Sequence, residues 1–142
     1  MALFAEGLYE AEWRKSVPKD GRPVGVIIHH VASVYPLEVQ LAQTVAAGKP
    51  VAGVTWDAVA QMNAQHAQEH RAVVKSEALA LLRSNSKAAA DAIRAFSDEQ
   101  LDAAAPVSLN AETPLTAQFL IEDHALRHSF HHLAGIRAAV GR

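Results

Sequence analysis

The sequence predicts an all-α fold, an antiparallel four-helix bundle with short additional helical segments. Half of the 142 residues are hydrophobic, only 6% are aromatic, and alanine is prominent. That balance suits packed helices, because alanine is the best helix former and a poor strand former. Long stretches of helical pattern alternate with short proline- or glycine-bearing breaks, the arrangement of antiparallel neighbours in a bundle. The length falls in the range of one domain, and no repeat or linker divides residues 1–142.

Each element has its own signal. Ala2 to Lys15 reads as a first helix, stopped by the loop "SVPKDGR". Pro23 to Ala47 reads as the second, with Pro23 in the first turn and Pro36 as an internal kink. Thr55 caps a third helix running to about Val74. Ser76 opens a further segment through Phe96, and "SDEQ", Ser97 to Gln100, has capping-box spacing for a short helical turn. Thr113 followed by Pro114 gives an N-cap and first-turn signature for a last helix reaching almost to the end.

Composition excludes several function classes. A formal net charge of −2 offers no basic stripe for nucleic acid. With no cysteine there is no disulfide and no thiolate metal site, so a transition-metal site must draw on histidine, carboxylate and water. The N-terminal "MALFAEGLYEAEWRK" lacks a basic region ahead of an apolar run, and no uninterrupted apolar segment approaches the ~20 residues of a membrane span. The expectation is a cytoplasmic protein acting on a small molecule, without membrane or nucleic-acid partners.

The chemistry concentrates in the eight histidines. In "EDHALRHSFHHLAG", His124, His128, His131 and His132 crowd one stretch. At roughly 100° per residue they share a face with Ala117, Ile121, Ala125 and Gly135, a strip with no charged residue. Glu122, Asp123, Arg127 and Arg137 lie on the other side. His30 stands in the apolar stripe of Val26, Ile27, Val34, Leu37 and Leu41, where an imidazole must find a partner. His128 and His132, one turn apart, can grip one ion, and His30 completes three ligands with open positions, the pattern of a catalytic site. His124 could instead pair with His128, and His131 lies close in angle as a further substitute. His66 and His70 repeat the spacing on the third helix, read as a supporting pair and not as ligands. His29 points away from His30 and reads as a surface or helix–helix hydrogen-bonding residue. Ser33 and Ser129 read as helix-face residues, Glu38 as a solvated carboxylate, and Trp13 and Trp56 as core or edge anchors.

Three stretches, "DGRPVGVIIHHVASVYP", "WDAVAQMNAQHAQEH" and "EDHALRHSFHHLAGIR", together resemble the DinB-like family over about residues 5 to 140. The resemblance implies a four-helix bundle of DinB-like type holding a divalent metal, most often nickel or zinc, on three histidines. Carried over residue by residue, these are His30, His128 and His132. It further implies a homodimer and, in members of known activity, a low-molecular-weight thiol as cofactor. The extra histidines beside each expected ligand depart from the family pattern.

The leading functional expectation is a divalent-metal-dependent enzyme that activates water or a thiol for hydrolysis or group transfer. The alternatives are a non-catalytic small-ligand-binding bundle and a stress-response interaction bundle, both without a functional metal.

Overall fold

A computed structural model describes all residues 1–142. Two short helices, α1 (Ala2–Glu6) and α2 (Glu10–Trp13), precede the long α3 (Val24–Ala46), α4 (Trp56–Glu69) and α5 (Lys75–Arg94). A short α6 (Asp98–Asp102) leads into strands β1 (Ala104–Val107) and β2 (Thr113–Thr116). The last rod is continuous but not uniform: α7 (Ala117–Leu120), a π-helical stretch Ile121–Arg127, and α8 (His128–Val140). The four long rods form an antiparallel four-helix bundle in which α3 touches each of the others.

The caps that the sequence advertises are in place where they matter. Thr55 Oγ1 accepts from Ala58 N at 3.2 Å and starts α4. Ser97 and Gln100 close a reciprocal capping box, Ser97 Oγ accepting at 3.2 Å and Gln100 Oε1 accepting at 3.0 Å. Each such cap contributes about 1 kcal/mol.

The main core lies between α3, α5 and α8, with Ile27, Ile28, Val31, Leu82 and Ile136 all but sealed from solvent. Each large side chain of this kind contributes roughly 1.5–3 kcal/mol through burial. By length and apolar content α3 could cross a bilayer, contrary to the expectation that no segment approaches such a span. Its apolar side chains are instead committed to the bundle's core on several sides.

Pro36 sits inside α3 without ending it. Its missing N–H leaves the carbonyl of Ala32, four residues earlier, without its helical donor. Asn85 on α5 supplies the replacement, its Nδ2 donating to Ala32 O at 2.9 Å. The defect in one helix thus becomes an attachment point for its neighbour.

Several boundaries differ from the sequence expectation. The first helix is broken after Glu6, because Leu8 turns into the core and the chain restarts with Tyr9 N donating to the Glu12 carboxylate at 2.7 Å. Lys75 holds this break against α5, donating to the carbonyls of Glu6 and Leu8. The third helix ends at Glu69, short of Val74, and the next starts at Lys75 with Val74 as its extended N-cap residue in place of Ser76. There the Val73 carbonyl is taken by the Trp13 indole, Nε1 donating at 3.1 Å.

The largest difference is at Thr113–Pro114. These residues begin no helix; they form β2, antiparallel to β1, with Pro106 facing Pro114. Two facing prolines fit a ladder only where their nitrogens point away from the partner strand. Accordingly, the Pro106 carbonyl turns outward and accepts from Val51 N at 2.9 Å. The real N-cap is Thr116, whose Oγ1 accepts from Phe119 N at 3.0 Å. The hairpin closes a second, smaller core of Val45, Val51, Ala105, Val107, Ala117 and Leu120.

Candidate metal centre

Adjacent residues on α3 point to different neighbours, as roughly 100° of rotation requires. His30 faces the last rod, and its ring meets those of His128 and His132 edge-on, at 5.2 and 5.4 Å between centroids. His29 faces α4. The contact between α3 and α8 is fixed beside the site by Tyr35 Oη and Ser129 Oγ, 2.9 Å apart. Ser129 is therefore a helix-to-helix tie. Ser33 donates to the carbonyl of His29 at 2.8 Å, a local helix-face bond.

The three histidines singled out from the sequence converge through the same nitrogen. His30 Nε2 lies 3.3 Å from His128 Nε2, which lies 3.0 Å from His132 Nε2. The ligand atoms of all three fall within 4.8 Å of one another. A tetrahedral ion with bonds of about 2.0–2.1 Å sets its nitrogens roughly 3.3 Å apart, so this donor set fits a first-row divalent ion with small adjustments. Neutral imidazoles aimed at one point form few mutual hydrogen bonds, since each ring carries one proton.

The surroundings favour the neutral form of His30 and His132, the form that metal binding requires. Burial, then the nearby Arg22 and the other rings, lower His30 to about 3. Burial, His128 and Arg22 lower His132 to about 4. Both values lie below the ordinary 6.5, so the unfolded chain takes up protons first as the pH falls. The metal-free protein should hold the stability linked to these rings above pH 6.5 and lose it progressively, towards about 4 for His132 and about 3 for His30. The slope should be roughly 1 kcal/mol per pH unit for each ring held neutral. Urea midpoints measured against pH in the presence of a chelator would show it, and a flat profile would refute it.

Glu38 does not behave as the solvated carboxylate the sequence predicts: it is only 8% exposed. Two turns along α3 from His30, it is enclosed by the approach of the last rod. Its Oε1 lies 3.0 Å from His128 Nδ1, close but out of line for a hydrogen bond, and its Oε2 has no partner. A small rotation of the ring gives a carboxylate–imidazole–metal arrangement, in which the carboxylate fixes the tautomer that leaves Nε2 free.

The site opens into a cleft of about 940 Å³ between α3, α4 and the last rod. Leu41, Val59, Met62 and Trp56 make its wall apolar, while Arg22, Asp123 and Arg127 supply charge. Trp13 is core, but Trp56 is 61% exposed at the cleft, anchored by Nε1 donating to Leu109 O at 3.0 Å. His124 and His131 line the same cleft without joining the three converging rings. The π-helical stretch explains why the uniform rotation misplaces His124: the chain turns less per residue there than in an α-helix. His124 Nε2 instead lies 4.0 Å from Asp123 Oδ2, and His131 is exposed.

A second convergence arises between α3 and α4. His29 Nδ1 and His66 Nε2 are 2.9 Å apart, and His70 stacks on His29 with ring centroids 3.9 Å apart. The supporting pair of the third helix and the helix–helix histidine of the second thus form one cluster. The signal for it lies in the sequence, as two histidine pairs of equal spacing and two adjacent histidines on α3, but assigning pairs to partners needs the helix order in space.

No family model and no curated protein sequence matches the chain. Among solved structures it is similar to YfiT from Bacillus subtilis, described as a probable metal-dependent hydrolase with an unusual four-helix bundle topology. The TM-score is 0.76 at 18% identity, covering 99% of this chain and 78% of the other. The likeness is one of fold, a four-helix bundle.

Proposed function

We propose that the chain is a divalent-metal-dependent hydrolase or group-transfer enzyme acting on a small molecule, with the ion on His30, His128 and His132. The observation that carries this reading is the approach of three Nε2 atoms at 3.3 and 3.0 Å, at the floor of an apolar-walled cleft. Nickel and zinc both suit three imidazoles. The solved neighbour's description as a metal-dependent hydrolase supports the same class.

A divalent ion held there would lower the pKa of a water or a thiol and polarise the bond under attack. The remaining work belongs to the protein. Glu38 positions His128 from behind. Leu41, Val59 and Met62 keep bulk water from the reacting atoms, and Arg127 with Asp123 orients polar groups of the substrate at the rim. His124 and His131, outside the ligand set, line the same cleft and pass protons to a leaving group.

The test is metal analysis of protein purified without a histidine tag, followed by assay against a panel of small esters, amides and thiol-transfer substrates. Turnover that is lost on chelation and restored by zinc or nickel is the expected result. A chain that takes up neither ion, with stability unchanged by chelator, would refute the proposal.

A further inference from the structure

We propose that His29, His66 and His70 form a second site for a first-row divalent metal ion, beside the central one but sharing no ligand with it. The construction is the same twice over. One histidine of α3 meets a pair spaced one turn apart on a neighbouring helix: His30 with His128 and His132, His29 with His66 and His70. Because His29 and His30 are consecutive, helical rotation sends one towards α4 and the other towards the last rod. Two neighbours each present a pair to receive them.

The local geometry is that of ligands close to a common point. The ligand nitrogens of the second group lie within 4.8 Å of one another, and the His66 and His70 rings are 4.6 Å apart. The other nitrogen of His66, Nδ1, is buried without a partner, so the ring's interactions are incomplete as it stands. Ser33 Oγ, 3.3 Å from His29 Nδ1, places an oxygen at the edge of the group. With imidazoles and no carboxylate, the site selects zinc, nickel or copper over magnesium and calcium.

The two sites differ in access. His30 is 4% exposed, whereas His29, His66 and His70 are each half-buried, as are His128 and His132, so the second site has no buried ligand. They are also neighbours, the His30 and His66 rings standing 5.5 Å apart. Two divalent charges at this range repel, so filling one site should weaken the other, on the order of a hundredfold.

The experiment is equilibrium dialysis of the full chain against Zn²⁺, with Mg²⁺ as the control ion. The expected result is two Zn²⁺ per chain, no retained Mg²⁺, and the weaker Zn²⁺ lost on combining His29→Ala with His70→Ala. Combining His128→Ala with His132→Ala should leave one Zn²⁺ bound, which separates this site from the central one whatever the fate of the catalytic reading. Retention of no Zn²⁺ by that second variant, or an unchanged Zn²⁺ isotherm in the first, would overturn the proposal. Circular dichroism monitors folding. Should the first double variant lose its helices, His70→Gln at the end of α4 serves instead, with an unchanged isotherm again counting against the site.

Discussion

His128→Ala should lower affinity for zinc or nickel at the central site by about a hundredfold or more and abolish metal-dependent turnover, while the helical fold persists. The magnitude follows from position. His128 Nε2 is the atom common to both short contacts, 3.3 Å to His30 and 3.0 Å to His132, so its loss leaves two rings without their hub. Even residues that merely orient a ligand cost 10–100-fold when removed, and a ligand should exceed that. Chelator competition reads the affinity directly. Affinity within a factor of about three of the unaltered chain would remove His128 from the ligand set, since the natural 1.4 kcal/mol scale equates to tenfold. The substitution also strands Glu38 as a buried carboxylate facing a void. Part of the folding stability should therefore fall, and Glu38→Gln in the same background should restore it, because the neutral amide carries no buried charge. Phe130→Ala, on a side chain 68% exposed, is the control that should change neither quantity.

The second large effect is on stability. Trp13→Ala should cost about 3–5 kcal/mol, the range for emptying a buried large aromatic site. At this chain length that lowers Tm by roughly 10 °C or more. Trp13 is 4% exposed and lies flat against α3 at Gly25, where a β-carbon would collide with indole Cε2 and Nε1. Its Nε1 also holds the Val73 carbonyl in the α4–α5 link. One side chain therefore joins α2, α3 and the link that follows α4. Gly25→Ala should move stability in the same direction by about 1–3 kcal/mol, through overpacking in place of a cavity. Urea denaturation at neutral pH measures both, and a loss below about 1 kcal/mol for Trp13→Ala would show that the indole anchors nothing.

The long helices were legible because their signals are local. Thr55 and Ser97 with Gln100 mark their own starts, and the stripe around His30 marks the buried face of α3. The hairpin was not legible, because Thr113–Pro114 satisfies the rules for a helix start as well as Thr116 does. What decides is a partner strand, Ala104–Val107, whose pairing no local rule sees. The break after Glu6 likewise depends on where Leu8 can be buried. Within the site, His30, His128 and His132 followed from spacing and from the family resemblance, and the fold brings them together. Glu38 looks solvated from its neighbours on α3 alone, because its burial is produced by the last rod. His29, His66 and His70 were each read on their own helix, and their association exists only between helices.

The π-helical stretch has a bearing on how this site can change over generations. Seven residues, Ile121–Arg127, wind more slowly than the α-helix on either side. The direction in which His128 and His132 face is therefore set by how many residues precede them, as much as by what those residues are. Deleting an exposed residue of the stretch such as Glu122 would retain every histidine and core side chain, and both rings would keep facing α3 only if the stretch rewound to the tighter α-helix of roughly 100° per residue. Substitutions along Ile121–Arg127 can accumulate while the pair keeps its aim; a change of length there must be matched by a change of winding.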